Sequence, residues 1–208
     1  MNKRYIFRAG ILAVCLVLCS GNLYAENIDP YGDGSQYAYG ENVGWFNFEP
    51  NVVDPNAGAQ VSSDKVTGFI WSENIGWINL SPQNYGGVYN DGNGNLSGYA
   101  WGENVGWINF NPVVAGDPND YGVKIDVDGN FSGYAWGENI GWINFDIADN
   151  YVVACKVTFE DLANFVDDWL NSGPVPSNLD LTGDVDFEDF AIFSGYWQDF
   201  CSDGWQLK

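Results

Sequence analysis

The 208-residue chain has no histidine, and only seven Lys and Arg stand against 28 Asp and Glu. Three of those seven, Lys3, Arg4 and Arg8, fall within the first eight residues. Without histidine there is no Ser-His-Asp or Cys-His relay and no histidine-bound zinc. So few basic side chains also argue against nucleic acid and anionic lipid as partners, since both are recognised by Lys/Arg clusters. Cysteine is scarce too: Cys15 and Cys19 lie in an N-terminal apolar segment, and Cys155 and Cys201 are too few to build a zinc site alone. The one long hydrophobic run, Ala9 to Gly21, is too short for a stable membrane span. With the basic residues before it and Leu23-Tyr24-Ala25 after it, it reads as a Sec-type signal peptide, residues 1–25. Val14 and Leu18 precede the two early cysteines, where a lipoprotein signal needs a small residue. The expected mature chain, from Glu26, keeps four Lys against 28 acids, a net charge of −24, and is secreted or held at the cell surface. Such a surface keeps an exported protein soluble and attracts divalent cations, for which oxygen ligands suit calcium. A two-carboxylate glycosidase fits the composition, but nothing marks one pair among the acids, so no enzyme is expected.

What the chain has in abundance is a repeat. YAYGENVGWFNF (37–48), FIWSENIGWINL (69–80), YAWGENVGWINF (99–110) and YAWGENIGWINF (134–145) are near copies joined by connectors of variable length. A fixed internal period marks a repeat architecture. In the last copy Val123, Ile125 and Val127 alternate with polar residues as a half-buried strand does. Asp128-Gly129-Asn130 makes a tight turn, Phe131 to Trp136 a second strand, and Gly141 to Phe145 a third. The fold class expected for residues 26–154 is therefore mainly β, four three-stranded antiparallel meanders. The first copy lacks its first strand, and Tyr151 to Lys156 is a spare one after the fourth, so the set is expected to close as a small propeller-like ring. An open stack is the competing arrangement.

Seven tryptophans lie in the copies: Trp45, Trp71, Trp77, Trp101, Trp107, Trp136 and Trp142, with Tyr39 in the eighth place. Because each large aromatic buries roughly 150–250 Å², they are expected to form the core between units. The alternative is a row of exposed platforms for sugar rings. The Glu-Asn pair of each copy sits at a chain reversal, where Asn accepts left-handed geometry and the carboxylate is expected to accept backbone N–H bonds. The following glycine (Gly44, Gly76, Gly106, Gly141) fits a bulge beside tryptophan.

Residues 155–208 change to helical periodicity. VTFEDLANFVDDWL from Val157 and VDFEDFAIFSGYWQ from Val185 align at an offset of 28 residues, two helices from a duplication. Thr158 with Asp161, and Asp186 with Asp189, resemble capping boxes, and Pro174 and Pro176 separate the helices. Cys155 just before the first helix and Cys201 just after the second are neighbours in an antiparallel pair, which predicts a disulfide. Closing a loop of about 47 residues, it stabilises the module by roughly 3–4 kcal/mol.

Asp180-Leu-Thr-Gly-Asp-Val-Asp-Phe-Glu-Asp189, an acid-alternating loop running into a helix, resembles the type I dockerin modules, which are EF-hand-like. The resemblance covers about 45 residues. It implies a calcium ion held by Asp180, Thr182, Asp184, Asp186 and Asp189, and a cohesin-type protein partner docked on the helices. Two departures limit it to at most one site: the loop spans ten residues rather than twelve and lacks the sixth-position glycine, and no acidic loop precedes the first helix. The four repeats resemble a tryptophan-rich repeat of uncharacterised exported bacterial proteins. The leading expectation is a non-enzymatic exported scaffold attached through this tail. A carbohydrate-binding module is the second, with polysaccharide as its partner, and a glycan-active enzyme the third.

Overall fold

The computed structural model describes residues 27–50, 57–83, 86–147, 150–201 and 205–207; the leader and its cleavage site lie outside them. The first copy forms strands β1 (Tyr37–Gly40) and β2 (Gly44–Asn47), and β3 (Gly58–Val61) leads to the second, β4 (Lys65–Ser72) and β5 (Gly76–Asn79). Strand β6 (Gly87–Asn90) precedes β7 (Leu96–Gly102) and β8 (Gly106–Asn109). Short strands β9 (Lys124–Ile125) and β10 (Phe131–Ser132) precede β11 (Tyr134–Gly137) and β12 (Gly141–Asn144), followed by β13 (Asp146–Ile147) and β14 (Asn150–Tyr151). Each copy is thus one hairpin. Its reversal ends at Gly44, Gly76, Gly106 or Gly141, whose φ values of 79° to 84° an L side chain resists.

Hairpins join edge to edge in one repeated register: Asn47 faces Trp71, Asn79 faces Trp101, and Asn109 faces Trp136. The fourth joint, Asn144 facing Tyr39, brings β12 back to β1. All contacts are antiparallel, so eight strands close into one barrel. The expected ring of propeller-like blades is therefore replaced by a single continuous sheet. The reason lies in the short strands: hairpins this small bury little alone and share a core by pairing directly. Residues 152–154 add a second link across the seam. Val153 N donates to the Ser35 carbonyl (2.9 Å), and Phe131 N donates to that of Val152 (2.8 Å).

The barrel interior is apolar, aliphatic side chains and phenylalanines in layers of four. Phe46, Ile78, Ile108 and Ile143 pair across each hairpin with Ala38, Ile70, Ala100 and Ala135, and all are buried. Below them lie Phe48, Leu80, Phe110 and Phe145; Ile75, Val105 and Ile140 close the turn end. The interior narrows at Gly40, Gly102 and Gly137: a Cβ on Gly102 would lie 2.6 Å from Val105 Cγ2. Large residues thus face small ones, as an eight-stranded barrel requires. The tryptophans are not in this core. That expectation fails because the strand period of two sends Ala38 and Phe46 inward and Tyr37, Tyr39 and Trp45 outward.

The tail has helices α1 (Phe159–Asp167) and α2 (Phe187–Gly195), both opened by capping boxes as their sequences predict. The duplication reappears as paired contacts. Leu170 N donates to Val185 O (2.9 Å) and Gln198 N to Val157 O (3.1 Å), donors and acceptors each 28 apart in sequence. Phe165 stacks on Phe193 at 5.2 Å between centroids. Cys155 and Cys201 are disulfide-bonded, as predicted, tying the strand that crosses the barrel seam to the end of the second helix.

Candidate ligand-binding grooves on the barrel

Three aromatic side chains of each copy face outward, and none of the twelve is buried. Across every hairpin two of them meet edge to face: Tyr39–Trp45 (4.8 Å), Trp71–Trp77 (4.9 Å), Trp101–Trp107 (4.7 Å) and Trp136–Trp142 (4.8 Å). In each pair the edge of one ring rests on the face of the other, and Trp45, Trp77, Trp101 and Trp107 remain exposed. Where the first hairpin meets the second, these rings line an open groove of about 480 Å³. Tyr37, Trp45 and Asn47 come from one hairpin, and Trp71, Glu73 and Asn74 from the next. The repeated register places the equivalent residues at the other three joints. At two of them the connectors intrude. Tyr121 packs on Trp142 (5.3 Å), and Gly86 lies so close to Trp107 that a Cβ there would come within 2.5 Å. Trp45 is the most exposed of its set, at 44%.

The two asparagines of each copy have separate duties. In the turn, Asn74 Nδ2 donates to the Val43 carbonyl of the preceding hairpin (2.9 Å). Asn104, Asn139 and Asn42 do the same to Ile75, Val105 and Ile140 at 3.0, 3.0 and 3.1 Å. These four bonds clasp the turn end of the barrel into a ring. At the strand ends, Asn47, Asn79, Asn109 and Asn144 accept the backbone N–H two residues on, at 2.8 to 2.9 Å. The glutamates behave otherwise. Glu41, Glu73, Glu103 and Glu138 are exposed, and among the described residues none accepts a hydrogen bond or joins an ion pair. The expected backbone-capping role of the carboxylate is therefore not what the fold uses; turn geometry and the Asn clasp suffice.

Hydrogen-bond shifts elsewhere involve connector carboxylates. The Tyr121 hydroxyl donates to Asp117 Oδ2 (2.6 Å), which holds the Asp117 carboxyl below its ordinary value and raises the Tyr121 phenol. The Asn95 amide does the same for Asp91, and the Lys124 ammonium lowers Asp120 from 2.7 Å.

In the tail, the carboxylates expected to hold calcium act as caps. Asp189 is fully buried; Oδ1 accepts from Asp180 N (3.0 Å) and Oδ2 from Asp186 N (2.9 Å). Asp180 accepts from the N and Oγ1 of Thr182, and Asp186 from Glu188 N. Asp184 is exposed. Among the described residues no three carboxylates converge on a common point, so this loop does not fit a calcium ion. Asp161 mirrors Asp189, accepting from Thr158 N (2.7 Å) and from Trp205 Nε1 (3.1 Å).

No model of a protein family, no curated protein and no solved structure matches the chain. Among the described residues no helix is long and apolar enough to cross a membrane. Six of the eight barrel strands have four residues, where a tilted membrane strand needs about nine to eleven. The aromatic belt is better read as a contact surface. Period-two alternation was the signal for it: in YAYG and GWFN the aromatics at Tyr37, Tyr39 and Trp45 share one strand face, opposite Ala38 and Phe46.

Proposed function

We propose that the protein is an exported, non-catalytic glycan-binding module, with its barrel carrying the sugar sites and its helical tail attaching it to a protein partner. The observation that carries this reading is the groove of Tyr37, Trp45, Trp71 and Glu73, an aromatic wall with polar groups at its edge. Sugar rings have apolar C–H faces and hydroxyl rims, and such a groove matches both. The disulfide supports an oxidising location. Exposed Phe159 (72%) and Phe187 (77%), equivalent positions of the duplicated helices, support a protein contact for the tail. Calcium has no part in this account.

The test is affinity electrophoresis and sedimentation with a panel of soluble and insoluble polysaccharides. Trp45→Ala/Trp71→Ala should abolish retention by the polysaccharide that holds the wild type, with the fold intact by circular dichroism. Retention of the double variant equal to wild type would refute the groove as the site.

A further inference from the structure

We propose that the groove takes a glycan bearing free ammonium groups, an amino-sugar polymer with unacetylated residues, held against the faces of Trp45 and Trp71 beside Glu73, one of the repeated glutamates. This rests on the glycan-binding reading above and names its ligand chemistry. The repeat isolates the glutamate by elimination. In YAWGENxGWINF the alanine, the hydrophobic turn residue and the isoleucine fill the barrel, and the first glycine fits its narrow layer. The first asparagine clasps the preceding hairpin, the second glycine takes the positive φ, and the last asparagine closes the strand end. Only the outward aromatics and Glu41, Glu73, Glu103 and Glu138 have no part in holding the barrel's interior or its turns. Those same two residue types meet in the groove, where Trp45 and Trp71 lie with Glu73.

The polar groups of the groove define what they accept. A carboxylate offers hydrogen-bond acceptors and no donor. Asn74 spends one amide N–H on the Val43 carbonyl, which leaves its oxygen as an acceptor and one N–H for a ligand. No Lys or Arg lies in any of the four copies, and the whole chain carries a net charge of −21. The indole N–H groups and the Tyr37 hydroxyl can meet sugar hydroxyls, but the charged group of the lining is Glu73; a positive charge on the ligand matches that carboxylate, the field of the protein and the negative faces of the indoles. Anionic polysaccharides are repelled; neutral ones stack but leave Glu73 uncompensated.

Isothermal titration of the full chain with a glucosamine hexamer and an N-acetylglucosamine hexamer, at pH 6 and at low and high salt, decides this. The wild type should bind the glucosamine hexamer at least about tenfold more tightly, the range of a charge-assisted contact. Glu41→Gln/Glu73→Gln/Glu103→Gln/Glu138→Gln should lose that preference with an unchanged melting temperature, because these carboxylates hold no bond among the described residues. Trp45→Ala/Trp71→Ala should lose binding of both hexamers. Equal affinity for the two hexamers, or a preference that survives the fourfold Gln variant, overturns the ammonium assignment while leaving glycan binding intact. If oligolysine of equal charge binds as tightly and is indifferent to the tryptophan substitutions, the sugar is dispensable and the proposal fails. Absence of binding to either hexamer and to neutral glucans removes the glycan reading as well.

Discussion

Gly133→Ala probes the point where the fourth copy leaves its connector and enters the barrel. Gly133 has φ of +84°, and a Cβ built there would stand 2.3 Å from the Gly122 carbonyl oxygen. Gly98 is placed alike, 2.1 Å from the Gly87 carbonyl oxygen. Both obstacles are backbone, so no rotamer change relieves them. Relief requires the two strands to part by nearly an ångström, against the bonds Tyr134 N to Tyr121 O (2.7 Å) and Phe145 N to Gly133 O (3.1 Å). Gly116 separates the two causes: its φ is also +84°, with nothing within 4 Å of its Cβ position. Gly116→Ala should therefore cost only the positive-φ penalty, about 1–2 kcal/mol. Gly133→Ala adds two weakened backbone bonds at about 1 kcal/mol each and the residual overpacking, reaching about 3–5 kcal/mol. At roughly 2–4 °C per kcal/mol for a chain of this size, that is a loss of about 6–20 °C in melting temperature. Urea unfolding followed by tryptophan fluorescence, with thermal melts alongside, measures both variants. A Gly133→Ala cost within about 1 kcal/mol of Gly116→Ala would refute the claim that the close backbone approach, rather than φ, demands glycine.

Cys201→Ala should lower the stability of the tail by roughly 3–4 kcal/mol, and a thiol assay on the unfolded wild type should find no free cysteine at 155 or 201. Asp189→Ala, which strips buried N–H groups of their acceptor, should cost about 2–3 kcal/mol against almost nothing for exposed Asp184→Ala; millimolar calcium should shift neither variant's melt nor the wild type's. The Asp117–Tyr121 bond gives a pH signature. Its carboxylate contribution is present above the ordinary value of 3.8 and lost as pH falls through the lower folded value; its phenol contribution is present below 10.0 and lost as pH rises through the raised one. The melting-temperature gap between wild type and Tyr121→Phe should then be widest between those limits and close beyond both; a gap that does not vary with pH contradicts the assignment.

Duplication, capping and the cysteine pair were legible in the residues because each is local or follows from an offset of 28. Thr158 with Asp161 and Asp186 with Asp189 cap their own helices, and Cys155 and Cys201 flank an antiparallel pair. The hairpins were legible for the same reason, from alternation and a turn glycine. Composition misled where it was read without strand phase: tryptophan counts as a core residue by size, yet Tyr39, Trp71, Trp101 and Trp136 alternate with the alanines and Ile70 that fill the barrel. In the dockerin-like loop Asp180, Asp186 and Asp189 accept backbone N–H bonds, since alternating acids serve a backbone cap as well as a cation.

Sequence alone determined four hairpins, two capped helices, one disulfide and an acidic chain without basic clusters, all consequences of short-range geometry and charge. The tertiary structure decided that the hairpins share one sheet, because strand pairing across a joint such as Asn47 to Trp71 depends on which edges remain unsatisfied once every hairpin has formed. That closure puts the face of alanine, isoleucine, leucine and phenylalanine inside, turns the tryptophan and tyrosine face to solvent, and brings Trp45 of one copy beside Trp71 and Glu73 of the next. No single copy contains the groove; it exists only where two of them meet.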